Sequence, residues 1–221
     1  MNRVLLVCSA HRETGYATPG ELSWLLGRLQ PDVIFLEHSS ADFNRFLDGS
    51  CGTLEAAAVL QYRSRNATGL VPVDLELQQH EELKRKFDEL FDRVGNASAK
   101  FVQLDVTHRY HTARGGFAYL NSPLCVALQS EMQNEMRATV ANVADRSLEE
   151  LYALWNITNN CREAAMLNGV EGFARQFPFK KGVLLVGAAH RQPLLERAQL
   201  CRSDWPSPVA WEFEWEFEES P

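Results

Sequence analysis

No apolar run in this 221-residue chain approaches the roughly 20 residues that a membrane-spanning helix needs. The first apolar stretch, Val4 to Cys8, is followed at once by the charged Arg12 and Glu13. It is too short for the hydrophobic segment of a signal peptide. A cytoplasmic protein with no membrane partner is expected. A basic surplus is missing as well: 22 Lys and Arg against 29 Asp and Glu leave a net charge of −7. That is the opposite of a nucleic-acid-binding footprint. Cysteine is scarce and odd in number, five in all, with no C-x-x-C pair and no zinc-finger spacing. Reduced thiols are expected, and the sequons at Asn66, Asn96 and Asn156 then carry no glycan. There is no P-loop, no G-x-G-x-x-G and no G-x-S-x-G, which removes the common signatures of nucleotide binding and of a serine nucleophile elbow.

What is present is a hydrophobic share of 45%, enough for one sizeable core. Val4 to Cys8 is an unbroken apolar run, the pattern of a strand covered on both faces. Thr18-Pro-Gly-Glu21 opens a helix with a cap, a first-turn proline and an acidic residue reaching back. Leu22, Leu25, Leu26 and Leu29 form its apolar face. Val33 to Leu36 is a second buried strand, Gly52 to Arg65 a helix, and Leu70 to Val73 a third strand. This alternation predicts an α/β fold with a mainly parallel central sheet flanked by helices.

Residues 78–176 read as a helical insertion within a single domain spanning 1–221. Gln78 to Val94 is amphipathic, with Leu83, Phe87, Leu90, Phe91 and Val94 inward. A short strand is expected at Phe101 to Leu104. Helices follow at Ser122 to Val143 and Leu148 to Phe173. Strand-and-loop grammar returns at Val183 to Val186, and a helix runs from Gln192 to Gln199. The tail alternates Val209, Trp211, Phe213, Trp215 and Phe217 against glutamates. That predicts a half-buried C-terminal strand, taken as antiparallel. Aromatics near that strand make a homodimer unsurprising.

One phrase occurs twice: VLLVCSAHR from Val4 and VLLVGAAHR from Val183. Each copy sets a histidine, His11 or His190, just beyond a buried strand. Glu37 and Asp74 leave the ends of the second and third strands. In open α/β sheets the carboxyl edge is where ligands bind. Two imidazoles and two carboxylates at one edge therefore mark a shared site, although any one of them alone could simply be a polar residue at a strand end. Neutral imidazole and carboxylate are the usual ligands of zinc, manganese or cobalt, and the same groups can move protons without a metal. Glu55 lies in the first turn of a helix, where a capping role competes with a functional one. Arg162 falls in line with Leu148, Leu151, Trp155, Thr158 and Ala165 on a largely apolar helix face, and a buried arginine needs an anionic partner; Glu55 and Glu37 are the carboxylates expected. His108 and His111 have metal-like spacing but no supporting carboxylates, so a loop or lid is expected there, and Arg114-Gly-Gly-Phe117 reads as a mobile loop. His38 should face away from Glu37.

The phrases VLLVCSAH, QPDVIFLE, GTLEAAAVLQYRSRNATGLVPVD, NNCREAAML and VLLVGAAH resemble, in order, those of the TraB/PrgY–Tiki family and the wider ChaN-like and erythromycin-esterase-like superfamily. Gly187 to His190 meets the family's G-x-x-H, whereas the first copy carries Cys8 where glycine is usual. The resemblance implies functional roles for His11, Glu37, Glu55, Arg162 and His190. It also implies a peptide or small-molecule substrate whose amide or ester bond is hydrolysed. His11, Glu37 and His190 are the expected ligands of a divalent metal, Mn, Co or Zn, with Asp74 and Glu163 behind them. Two other outcomes are compatible with it: a metal-independent esterase, or a protein that binds metal, haem or peptide without chemistry.

Overall fold

The computed structural model describes residues 2–78, 80–201 and 207–213. Five strands form one sheet in the order β3-β2-β4-β1-β5. They are β1 (Asn2–Ser9), β2 (Val33–Leu36), β3 (Gly69–Pro72), β4 (Lys181–Gly187) and β5 (Val209–Glu212). Every pairing is parallel. The two copies of the repeated phrase are neighbours, β1 beside β4, with Ser9 opposite Gly187. Val4 to Cys8 and Val183 to Val186 are buried almost completely, as strands covered on both faces must be.

Helices α1 (Pro19–Leu29), α2 (Phe43–Leu47) and α3 (Leu54–Arg63) follow the first two strands. Thr18 caps α1 by accepting from the Glu21 amide, and Leu22, Leu25 and Leu26 are buried in the core. Between β3 and β4 come four long helices: α4 (His80–Ala97), α5 (Ala99–Leu120), α6 (Pro123–Val143) and α7 (Arg146–Gln176). Leu90, Val94, Phe101, Met136, Val140 and Leu148 give these helices a small core of their own. At its 31 residues α7 is long enough to join both cores, because its later residues Met166, Leu167, Val170 and Ala174 belong to the core under the sheet.

Several expectations are corrected. The strand expected at 101–104 is the first turn of α5, started by Ser98, whose hydroxyl accepts from the Phe101 amide. A four-residue run with one polar interruption fits either period, and packing against α4 and α6 decides it. Phe91, expected inward, is 38% exposed and meets Trp155 edge-on at the rim of the small core. His108 and His111 lie within α5 rather than in a loop or lid: the His108 ring bonds Tyr119 and His111 stacks on the same tyrosine. Arg114 to Phe117 is not a loop either; it is a kink in α5, where Gly116 takes a positive φ of 49° and a Cβ would strike the carboxylate of Glu21. The C-terminal strand is parallel, because β5 returns from α8 (Arg191–Cys201) to lie along the start of β1. Alternation reports which face is buried and carries nothing about direction. Val209, Trp211 and Phe213 are buried as expected, while Trp215 and Phe217 lie outside the described residues.

Among the described residues β5 pairs with Asn2 to Leu5, and Cys8 lies farther along β1. Asn121, at the end of α5, pairs with Cys8. Its side-chain oxygen accepts from the Cys8 amide at 2.7 Å and its nitrogen donates to the Cys8 carbonyl at 3.0 Å. The buried Arg191 ties the region down further, donating to the carbonyls of Asn121 and Phe213. Replacing Asn121 with Ala should leave both polar groups of Cys8 unpaired and cost about 1–3 kcal/mol. Chemical denaturation checks this, and an unchanged midpoint would show that the clamp is dispensable.

Candidate functional site

The site forms where β1, β2 and β4 end, below α7. Glu37 follows directly on β2, and its carboxylate is nearly sealed from solvent. Oε2 accepts from the Gly187 amide at 2.7 Å. Oε1 meets Arg162 Nη2 at 2.6 Å and His190 Nε2 at 3.3 Å. Burial alone would push this carboxyl up, but His190, Arg162 and His11 outweigh it and hold it well below the usual carboxylate range.

Arg162 reaches down from α7 and uses its planar fork on Asp74. Nε lies 3.0 Å and Nη2 2.6 Å from Asp74 Oδ2, so one guanidinium bridges two carboxylates. Glu55, an expected partner of Arg162, instead sits with His11 and Ser9. Asp74, expected only behind the ligands, is its two-pronged partner. The guanidinium is mostly covered, at 20% exposure; burial disfavours its charge, yet Glu37 and Asp74 more than compensate, so its pKa is raised.

His190 occupies a 3-10 turn after β4 and is buried. Both ring nitrogens face carboxylates, Nε2 toward Glu37 and Nδ1 toward Glu163 Oε1 at 3.0 Å. A ring with two anionic acceptors favours its doubly protonated form. Burial opposes that charge, but the bonds to Glu163 and Glu37 prevail and raise its pKa to about 9. Glu163, one residue after Arg162, is buried on the neighbouring flank of α7 and also meets Arg197 Nε at 3.4 Å.

His11 completes the site from the end of β1. Its Nδ1 lies 3.0 Å from Glu55 Oε1, and the same oxygen accepts from the buried Ser9 hydroxyl at 2.8 Å. The bond to Glu55 is the main cause of a pKa raised to about 9, even though the His11 side chain is 59% exposed. The other oxygen of Glu55, Oε2, is buried with no hydrogen-bond partner among the described residues. A buried carboxylate oxygen without a donor is costly, so it points to a missing one. His11 and His190 do converge. His11 Nε2 and His190 Cδ2 each lie 4.0 Å from the place a Cβ on Gly187 would take, so they are at most twice that far apart. The absent side chain keeps the centre of the site open.

All five residues singled out for function are thus brought together, with Asp74 and Glu163. Ser9, Arg197 and the Gly187 amide were not singled out. Ser9 stands inside the repeated phrase and Gly187 in its second copy, so position was the available signal; nothing in the sequence marks Arg197. His38 turns away and packs edge-on against Phe46. Cys8 is no nucleophile, since burial pushes its thiol up to about 12.

The donor set is a poor fit to a metal. His11 Nδ1, both nitrogens of His190 and both oxygens of Glu37 are already committed to one another and to Arg162, Glu55, Glu163 and Gly187. A metal needs those lone pairs free. Among the described residues no group of three or more His, Cys, Asp or Glu side chains is arranged to hold an ion. No family model, curated protein or solved structure matches the chain.

The charge network should control stability. Arg162→Ala leaves Asp74 without its cation and Glu37 with His190 alone, at a cost of about 3–5 kcal/mol, and Arg162→Lys should recover little because a point charge cannot bridge both. Melting curves at neutral pH check this; a variant that melts like the parent would remove Arg162 from the network. The pH dependence has a definite sign. Raised histidine pKa values stabilise fully below the unfolded value near 6.5, and that contribution is lost as pH climbs through about 9. Glu37, held low, stabilises above the unfolded value of 4.5 and loses this as pH falls. Stability should therefore peak between about pH 4.5 and 6.5 and decline toward pH 9, by at most about 1.4 kcal/mol per pH unit for each histidine. The exposed His11 contributes less, because solvent screens it. The decline should shrink in His190→Gln.

Proposed function

We propose that the protein is a hydrolase that activates water with the Glu55–His11 pair, without a metal, and cleaves an ester or amide bond. The observation that carries this is a half-exposed histidine, His11, whose Nδ1 is fixed on the buried Glu55 and whose Nε2 lies at the centre of the site, 4.0 Å from the place a Cβ on Gly187 would take. The pair has the layout of a general base and its orienting carboxylate. A water bonded to the neutral Nε2 of His11 attacks the acyl carbon as Nε2 takes its proton, while Glu55 holds the ring through Nδ1. The carbonyl oxygen becomes an oxyanion. Arg162 Nη1, which makes no hydrogen bond among the described residues, and the cationic His190 favour that charge. Collapse expels the leaving oxygen or nitrogen, which takes the proton back from His11. The TraB/PrgY–Tiki and erythromycin-esterase-like resemblance supports the same chemistry; the occupied lone pairs favour its metal-independent form.

The test is hydrolysis of a panel of aryl esters, lactones and short peptides with and without chelator. Activity should survive chelation. It should rise with pH toward about 9, as His11 loses its proton. His11→Ala should lower kcat by about 10²–10⁴-fold. In Glu55→Gln the rising limb should move down toward the ordinary histidine value of about 6.5. Loss of activity on chelation with recovery on manganese, cobalt or zinc would replace this reading with the metal-dependent one. Stoichiometric binding of metal, haem or peptide with no turnover would replace it with a binding protein.

A further inference from the structure

A cleft of about 380 Å³ opens on the far side of His190, between α6, α7 and α8, within the range of small-molecule sites. Its wall includes His190 and Glu163 from the site, then Trp155 and a run of carboxamides, Gln133, Asn156, Asn159 and Asn160. The ionisable groups of the wall cancel. His190 and Arg197 are held by Glu163, and Glu196 accepts from Gln192. Gln192 is neutral, so the exposed Glu196 keeps its charge; the two carboxylates of the wall balance its two cations, His190 and Arg197, and its net charge is zero. Two carboxamides are already occupied, Asn160 by Arg197 and Asn156 by the Tyr152 carbonyl. Gln133 and Asn159 make no hydrogen bond among the described residues, so each offers two donors and one acceptor to a ligand. Trp155 sets an aromatic surface beside them, braced from behind by Tyr152 and Phe91.

We infer that this cleft is the subsite for an uncharged, hydroxyl-rich part of the substrate, a sugar unit or similar polyol. Its C–H face would lie on Trp155 and its hydroxyls would be read by Asn159 and Gln133. Paired carboxamides suit neighbouring hydroxyls, which need donors and acceptors together, and the neutral wall excludes phosphorylated or carboxylated groups. The inference rests on the hydrolase reading, since it assigns the substrate of that same site.

Binding is measured apart from catalysis, by saturation-transfer NMR with methyl glucoside, methyl galactoside and sorbitol as probes and N-acetylalanine methylamide as a peptide-like comparator. At least one polyol should receive saturation from the protein. Asn159→Leu, which touches neither core, should raise its Kd about tenfold or more, while His11→Ala should leave it unchanged. Trp155 is unsuitable as the sole variant because it packs against Phe91 and Tyr152. Absence of transfer to all three polyols overturns the inference, as does transfer that survives Asn159→Leu. Selective, Asn159-dependent binding of the amide probe overturns it in favour of a peptide. Polyol binding without hydrolysis of any ester, lactone or peptide would leave the subsite standing and remove the hydrolase reading.

Discussion

The Glu37 carboxylate is nearly out of water and stays ionised, and the rest of the site depends on how that charge is held. One oxygen rests on the Gly187 amide, and the other is shared by Arg162 and His190. Each of those cations in turn needs a second anion, Asp74 for the arginine and Glu163 for the histidine. A buried ion pair is worth little by itself, but breaking one partner out of a closed network leaves a charge with nowhere to go. Strands β2 and β4, the end of β3 and helix α7 are therefore tied together at the edge where catalysis is proposed.

Helix α7 is the structural consequence. It must reach from the small helical core to the sheet and still present Arg162 and Glu163 at the strand ends. Glycine at 169 lets it come close: a Cβ there would lie 3.0 Å from Val73 Cβ, just before Asp74. The approach that packs the helix on the sheet also brings the guanidinium within reach of two carboxylates. Next to this rigid network, the His11–Glu55 pair is more open. His11 is half exposed and Glu55 retains an oxygen unpaired among the described residues. In the proposed hydrolysis the fixed charge array would position the substrate while the half-exposed His11 carried the proton.

The strands of the sheet, the first helix and the convergence of His11 with His190 were legible because each rests on a local pattern: buried apolar runs, a capped amphipathic helix, and a phrase repeated at two strand ends. The burial of Val209 and Trp211 was legible for the same reason, from alternation. Other readings failed where a pattern carries no information. Phe101 to Leu104 fits two periods and became helix through neighbours far away in sequence. The direction of β5 depends on where α8 delivers the chain. Arg162 does meet Glu37, one of the two acids expected, but that its second acid is Asp74 and not Glu55 depends on where α7 lies over the strand ends.

By itself the sequence determined an α/β sheet with a helical insertion, and the residues that gather at one edge of it, since hydrophobic periodicity and strand-end polarity are written residue by residue. Only the tertiary structure decided which acid holds which base. Hydrogen bonds between groups separated by 88 residues, as for Arg162 and Asp74, or by 150, as for the Gly187 backbone amide and Glu37, are set by packing geometry to fractions of an ångström. Chain composition specifies the charges present, whereas their partners, and hence which lone pairs remain free for chemistry, follow from distance alone.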